Sequence, residues 1–193
     1  MLFELRTYDL KPAKAPVYLD NFRRNGVGLV TASLPLAGYW MTESGRLNRI
    51  QHLWAYADFA ERDRCRAKLA RDQAWMTGFI PGAFVDVVAQ QNRFLRLLHG
   101  NDVVKRVVAD RLNVHANQPA DMPMFADTLH ALAIHHEELA ATEQTIGLFE
   151  VVSGVDAGRY LTLSAGPADT LLAGANGAGD HEILRPLSLS PLR

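Results

Sequence analysis

The same order of short motifs occurs twice along the chain, and this repetition limits the folds that the sequence can adopt. Two of the matching segments contain the pattern Pro-x-x-x-Pro, and two others begin with Gly and end in Ser-Gly. A third, shorter match follows in the same order. The matched segments are 4–22 with 111–129, 38–45 with 147–154, and 94–98 with 183–187. The sequence therefore predicts a tandem repeat of two related units.

The first unit has the pattern β-α-β-β-α-β. Apolar and polar residues alternate in its strand segments, and apolar residues recur at helical spacing between them. The predicted elements are a strand at 2–9, a helix at 12–30, strands at 36–43 and 48–56, a helix that opens at Asp58, and a strand at 91–98. Asp58 and Glu61 form an Asp-capped version of the capping box, and the spacing also predicts an ion pair between Asp58 and Arg62.

The second unit repeats this pattern less completely. Its predicted elements are a strand at 107–115, a helix at 121–141, a hairpin of 145–152 with 159–165, a short helix at 168–173, and a strand at 182–189. The glycine-rich segment 174–179 is interpreted as a loop that replaces part of a lost helix. The joint is placed at residues 99–102, which gives domains of 1–100 and 101–193. The predicted fold class is α+β, with tandem ferredoxin-like (βαββαβ) repeats forming an α+β barrel.

Composition excludes several functional classes. The 193 residues carry 20 basic and 21 acidic side chains, so the excess of positive charge that nucleic-acid binding needs is missing. No apolar run approaches the roughly 20 residues that span a bilayer. The single cysteine, Cys65, fits a reducing compartment. We therefore expect a soluble cytoplasmic protein with no nucleic-acid partner and no membrane span.

Short motifs in the first unit resemble the NIPSNAP family. They are Glu4-Leu-Arg-Thr-Tyr8, the series Gly38…Ser44-Gly45…Asn48, His52-Leu-Trp-Ala-Tyr56, Arg62, Trp75 and Phe94-Leu-Arg96. The resemblance covers residues 1–98 well and the second unit only faintly. It implies a dimeric α+β barrel, here formed by the two halves of one chain. The family has no agreed catalytic residues to transfer, and broader relatives of the barrel resemble cofactor-independent monooxygenases, muconolactone-type isomerases and haem-handling enzymes.

Strand alternation selects the candidate ligand-binding residues. In the first strand, Phe3 and Leu5 share one face, and the polar and aromatic residues share the other. We expect the apolar face to lie against the helices, which turns the other face toward the barrel interior. The candidates are Arg6, Tyr8, His52, Trp54, Tyr56 and Arg96. Together they predict a cavity with aromatic walls and a few polar groups, as is typical of small-molecule sites.

Each candidate also has a structural interpretation. Arg6 or Arg96 can hold a carboxylate or an enolate, and His52 can transfer a proton near neutral pH. Alternatively, Arg6 pairs with a neighbouring glutamate, and the rings fill a core. At the repeat offset, Arg6 and Tyr8 correspond to Asn113 and His115, which predicts that any site belongs to the first unit.

No cofactor and no metal ion are expected. The cluster His135-His136-Glu137-Glu138 lacks the i,i+4 spacing of a zinc site on a helix. The glycine-rich segment precedes a strand, so no helix N-terminus is available for a phosphate group. Cys65 has no positioned histidine as a base.

Three functions stay open. The first is binding of a small, partly apolar ligand in the barrel of the N-terminal half. The second is a cofactor-independent monooxygenase or isomerase that acts on an aromatic or enolisable substrate. The third is a protein-interaction module. Two units in one chain permit a monomer, but edge strands of an incomplete second unit would favour pairing, so a homodimer is expected.

Overall fold

The computed structural model describes residues 1–174 and 178–193. The strands are β1 (Leu2–Leu10), β2 (Leu36–Thr42), β3 (Arg49–Tyr56), β4 (Val87–Gly100), β5 (His130–His135), β6 (Thr145–Gly154), β7 (Tyr160–Ala165) and β8 (Asp180–Pro186). The helices are α1 (Lys14–Asn21), α2 (Val27–Thr31), α3 (Phe59–Leu69), α4 (Ile80–Ala83), α5 (Asp102–Ala109) and α6 (Ala168–Ala173), with π-helical segments at Phe22–Gly26 and Ala74–Phe79.

The eight strands form one closed antiparallel barrel in the order β4-β1-β3-β2-β8-β5-β7-β6, and β6 pairs with β4 to close it. Strands of the first half occur in the order fourth, first, third, second, and those of the second half occur in the same order. This is the strand order of a ferredoxin-like sheet, so the predicted α+β barrel is confirmed. It closes within a single chain. That the two halves arose by duplication stays a prediction.

Closure removes the argument for a homodimer that rested on free edge strands. Each described strand pairs on both sides, so none presents an open edge for a second chain. The homodimer stays a prediction without that support. Within the described ranges, no helix is both long and apolar enough to cross a membrane.

The barrel interior is packed with apolar side chains from all eight strands. They include Phe3, Leu5, Trp40, Leu53, Leu95, Leu132, Ile134, Phe149, Leu161, Leu163 and Leu184. The Trp40 ring folds back over Gly38, where an added Cβ would lie 1.9 Å from the indole. Phe149 covers Gly147 in the same way. The matched Gly-x-aromatic motifs of the two halves therefore have the same packing role, which is to fill the barrel.

The predicted orientation of the strands is wrong. Phe3 and Leu5 point into the barrel, whereas Tyr8 and Trp54 belong to a second core between the outer face of the sheet and the helices. Both faces of the first-half sheet are buried, because the barrel encloses one face and the helices cover the other. Alternation separates the two faces but does not indicate which one is inside.

The helical layer over the first half follows the prediction closely. The expected helix at 12–30 is present as α1, a π-helical segment and α2 in continuous succession. Gly26 lies in the π-helical segment, where an added Cβ would come within 2.6 Å of the Phe79 ring. The glycine therefore permits the close approach of the two helical stretches that cover the sheet.

Helix α3 begins at the predicted capping box. The Asp58 carboxylate accepts a hydrogen bond from the Glu61 backbone N–H at 2.7 Å, and the Glu61 carboxylate accepts one from the Ala57 backbone N–H. Arg62 does not pair with Asp58 as predicted. It donates two hydrogen bonds of 2.9 Å to the buried carboxylate of Glu4. This pair attaches the helix to β1.

Replacement of Asp58 by alanine removes the acceptor for an otherwise unpaired helical N–H. We expect the free energy of unfolding to fall by about 1 kcal/mol. Urea unfolding of the wild type and of Asp58→Ala measures this change. Asp58→Asn is the control, because an asparagine oxygen accepts the same bond; an equal loss in both variants would contradict the capping role.

The start of the second unit differs from the prediction. Residues 107–115 do not form a strand, because they begin inside α5, which Asn101 caps by accepting bonds from two backbone N–H groups. The predicted helix at 121–141 is absent, and its centre is strand β5. Leu5 pairs with Leu53 and Leu132 pairs with Leu163, so β5 occupies the place of β1. The hairpin and α6 are confirmed.

The segment between α5 and β5 lies against the first unit. Arg23 is buried and donates hydrogen bonds to the backbone carbonyls of Pro119, Ala120 and Met122 at 3.0–3.2 Å. Its guanidinium also binds Asp20. These carbonyls would be acceptors in a regular helix, so Arg23 holds the segment in its irregular conformation. The final strand, predicted at 182–189, ends at Pro186. The predicted glycine-rich loop lies partly outside the described residues.

Candidate functional site

A cavity of about 270 Å³ lies between the outer face of the first-half sheet and the helices. Its size is near the lower end of the range for small-molecule sites. Four of the six predicted site residues line it, namely Arg6, Tyr8, His52 and Trp54. Other lining residues include Tyr18, Phe22, Tyr39, Arg66, Trp75, Phe84 and Gln90. The predicted residues therefore come together, but outside the barrel and not within it.

Sheet register explains why these four side chains meet. Arg6 pairs with His52 across β1 and β3, and Tyr39 pairs with His52 across β2 and β3. Residues directly opposite one another in an antiparallel pair project from the same face. Tyr8 and Trp54 lie two residues further along their strands, so they project from that face as well.

Two predicted residues do not reach the cavity. Tyr56 is fully buried in the core beneath the helices but is not part of the cavity wall. Arg96 is exposed and forms an ion pair with Glu150 of β6. It lies near the end of β4 that is remote from the cavity residue Gln90 and joins the two halves of the barrel at the surface.

Aromatic rings surround His52. The Tyr39 ring stacks on the imidazole with centroids 5.0 Å apart and an interplanar angle of 9°. The Tyr8 ring meets it edge-on at 4.7 Å. On the far side, Phe22 stacks on Tyr39 at 4.3 Å. These contacts fix the plane of the imidazole and leave it little freedom to rotate.

The hydrogen bond from Trp54 determines the tautomer of His52. The indole Nε1–H donates to Nδ1 of His52 at 2.7 Å. Because Nδ1 accepts, the neutral imidazole carries its proton on Nε2. Nε2 is buried and has no hydrogen-bond partner among the described residues. His52 therefore presents an unused N–H donor beside the cavity.

Burial and nearby charges keep His52 neutral. Desolvation lowers the pKa of His52 well below its usual value, and the positive charges of Arg6 and Arg66 lower it further. Desolvation also raises the pKa values of Tyr8, Tyr18 and Tyr39. At neutral pH the imidazole and the three phenol groups are thus uncharged, and the charge at the cavity comes from its two arginines.

Arg6 is only partly satisfied. Its Nη2 donates to the side-chain oxygen of Gln90 at 3.2 Å, and its guanidinium lies 5.6 Å from the centre of the Tyr8 ring. Its Nε is buried without a partner in the described parts of the chain. The expectation that Arg6 pairs with a glutamate is not met, since Glu4 binds Arg62.

Sequence reasoning missed the part of the wall that the helices and β2 supply. Tyr18 and Phe22 have the i,i+4 spacing of one helix face, which by itself predicts a buried stripe and not a cavity wall. Arg66 lies on α3, and the sequence around it does not indicate that its side chain reaches a cavity. Tyr39 gave a usable signal, because the register of the hairpin formed by β2 and β3 pairs it with His52.

The second half does not reproduce the site. Sheet register places Ala133 where the first half has Arg6, and His135 where it has Tyr8, which replaces the predicted partners Asn113 and His115. Thr162 occupies the place of His52, and its hydroxyl lies 3.0 Å from Nε2 of His135. No group of three or more His, Cys, Asp or Glu side chains suited to a metal ion occurs in residues 1–174 and 178–193.

The fold places the chain among the α+β barrel proteins, since two four-stranded antiparallel sheets close into one barrel and helices cover the outer face of the first. The structure of an anthrone oxidase-like protein has the same fold, with a TM-score of 0.53 at 7% identity, covering 96% of this chain and 90% of that one. The NIPSNAP family model matches residues 3–99. The chain therefore belongs to the NIPSNAP family.

Two relatives within the family each match about half of the chain. The mouse (Mus musculus) protein NipSnap homolog 3B is 47% identical over 87 residues, which cover 44% of this chain and 35% of the mouse protein. An uncharacterized NIPSNAP domain protein from Burkholderia xenovorans is 35% identical with a TM-score of 0.47, covering 49% of this chain and 91% of that one. The chain thus spans about a third of the length of the mouse protein.

Proposed function

We propose that the chain binds a small, partly apolar ligand in the cavity between the sheet and the helices of its first half. The unused N–H donor of His52 carries this proposal. A buried donor without a partner is costly, and such groups in native proteins usually have a functional or solvent partner. A ligand that accepts this hydrogen bond and fills the aromatic cavity removes the cost.

The barrel interior is not the ligand site. Its centre is filled by Trp40, Phe3 and Phe149, which are buried against one another and against the aliphatic side chains of the second half. The polar and aromatic face of the strands opens instead toward the helices, where the cavity lies.

Catalysis by proton transfer is less well supported than binding. His52 uses Nδ1 to accept from Trp54, and its lowered pKa makes it a weak base. The raised pKa values of Tyr8 and Tyr39 disfavour their ionised forms. A monooxygenase or isomerase that removes a proton from its substrate needs a base near its operating pH. The ligand-binding function is the better match, and a cytoplasmic location stays a prediction.

Blocking the cavity mouth tests the proposal. Ala70 is exposed and lines the cavity, so Ala70→Trp places an indole at the opening. Ala67 is exposed one turn earlier on α3 and is not part of the cavity wall, so Ala67→Trp is the matched control. The probes are small aromatic compounds with one oxygen acceptor each, and binding is followed through the ¹⁵N–¹H signal of His52 Nε2.

We expect at least one probe to shift the His52 signal in the wild type and in Ala67→Trp. Ala70→Trp is expected to weaken that binding at least about tenfold, which corresponds to 1.4 kcal/mol. If no probe shifts the His52 signal, or if Ala70→Trp binds as well as the control, the cavity is not a ligand site.

A further inference from the structure

The cavity wall is rich in donors and poor in acceptors. Arg6 and Arg66 bring two guanidinium groups to it, and no aspartate or glutamate is among the described residues that line it. Nε of Arg6 and Nε2 of His52 are both buried without partners in the described structure. Of the three tyrosine hydroxyls at the wall, two are already engaged with each other, because Tyr39 donates to Tyr18 at 3.4 Å.

This imbalance determines the polarity of a ligand. A ligand that brings further N–H groups would leave the donors of His52 and Arg6 unsatisfied, whereas one with oxygen acceptors satisfies them. The aromatic walls reduce screening by water, so an anion gains from the two guanidinium groups and a cation is repelled. Charge-assisted bonds from arginine to a carboxylate are among the stronger hydrogen bonds in proteins.

The arrangement also indicates the shape of the charged group. The unpaired donors belong to two different side chains on neighbouring strands, β1 and β3, which pair at Arg6 and His52. A carboxylate has two oxygens and can accept from both side chains at once. A ligand with a single charged oxygen would have to accept hydrogen bonds from both side chains at that one atom. The rings of Tyr8, Trp54 and Trp75 then provide surfaces for a flat apolar body.

We propose that the ligand is a small planar carboxylate, whose two oxygens accept hydrogen bonds from Nε2–H of His52 and from the Arg6 guanidinium while its ring packs among the aromatic side chains. This inference rests on the proposed function, because it specifies the chemical class of the molecule that occupies the same cavity.

Three probes that share one ring test the inference. They are benzoate, its neutral counterpart benzamide, and the cation benzylamine, each titrated into ¹⁵N-labelled protein. Benzoate is expected to bind at least about tenfold more tightly than benzamide, and benzylamine more weakly still. The benzoate complex is also expected to shift the Nε2 signal of His52 downfield, as a hydrogen bond to an anion does.

Arginine variants identify the charged partner. Arg6→Gln is expected to lower the affinity for benzoate about tenfold and to change the affinity for benzamide by less than about twofold. Arg96→Gln is the control, since Arg96 lies on the neighbouring strand β4, is exposed and pairs with Glu150 outside the cavity. It is expected to leave both affinities unchanged. Thermal unfolding of each variant shows that it is folded before the affinities are compared.

The outcomes separate the two proposals. If benzamide or benzylamine binds in the cavity as tightly as benzoate, or if Arg6→Gln and Arg96→Gln behave alike, the carboxylate inference is overturned and the cavity remains a ligand site. A different result is that Ala70→Trp weakens the binding of none of the three probes, or that none of them binds the wild type. The carboxylate inference is then overturned together with the proposed function for this class of ligand.

Discussion

Replacement of Arg49 by methionine is expected to lower the free energy of unfolding by about 3–5 kcal/mol. Arg49 lies at one end of the barrel interior and pairs with two buried carboxylates. Its Nε donates to Asp9 at 2.8 Å, and its Nη1 donates to Glu182 at 2.8 Å. Glu182 also accepts from Gln51, which in turn accepts from Thr7. This polar network joins β1 and β3 of the first half to β8 of the second.

The size of the effect follows from what remains after the substitution. Burial raises the pKa of Glu182 even though Arg49 opposes this, so the desolvation of the carboxylate exceeds the attraction of its partner. Glu182 therefore depends on Arg49 and Gln51 to remain ionised in this buried position. Removal of Arg49 leaves Glu182 without its cation, and among the described residues it leaves Asp9 with the exposed Arg46 as its remaining ion-pair partner. A buried charge without its partner is strongly destabilising.

Arg96→Met is the matched control for Arg49→Met. Arg96 also joins the two halves, through Glu150, but its side chain is 63% exposed. An exposed ion pair contributes at most about 1 kcal/mol. Urea unfolding at neutral pH compares the two variants. Equal losses would show that burial of the network does not determine its energetic role.

The fold of the first half was predictable because local signals agree there. Alternation marks β1 and β3, the Asp58 capping box begins α3 where expected, and the turn before Asn48 separates two clear strands. Agreement between propensity, pattern and turn chemistry is what makes a sequence specify one structure. The barrel itself was predicted from the family resemblance, because no local sequence pattern indicates that two sheets close into a barrel.

The second half was harder to predict because tertiary contacts override its local pattern. The pair Pro119 and Pro123 resembles the helix start at Pro12 and Pro16, but the carbonyls beside it are bound by Arg23 from the first half. No property of residues 121–141 alone reveals this contact. The sequence of β5 predicts a helix because its apolar residues also fit helical spacing. A short apolar run does not distinguish a helix from a strand.

The candidate site was predicted in composition but not in position. Four residues chosen by alternation do meet at one cavity, since a shared face is a property of the strand alone. Which face is enclosed by the barrel depends on how the sheet curves, and Arg6 carries no signal for that. Arg96 was a candidate because strand alternation alone does not show how far β4 extends beyond the cavity.

A second buried histidine is expected to make the protein sensitive to acid. His130 lies in the barrel interior, where its Nδ1 accepts a hydrogen bond from Nε1 of Trp40 at 3.0 Å. Burial lowers the pKa of His130 from 6.5 to about 4. In the unfolded chain the imidazole has its ordinary pKa near 6.5, so between these values the unfolded state binds more protons than the folded state. Stability due to this group is therefore present above pH 6.5 and is lost as the pH falls toward 4.

The shift from 6.5 to about 4 corresponds to a loss of about 3 kcal/mol. His130→Gln isolates this contribution, because the glutamine oxygen can accept from Trp40 but does not titrate. Urea unfolding of both proteins from pH 8 to pH 4 measures the difference in their free energies of unfolding. We expect that difference to be constant between pH 8 and 7, and then to move by about 3 kcal/mol in favour of the variant as the pH falls to 4. Parallel curves across the whole range would mean that His130 becomes protonated within the folded barrel as readily as in the unfolded chain, which its burial against Trp40 opposes.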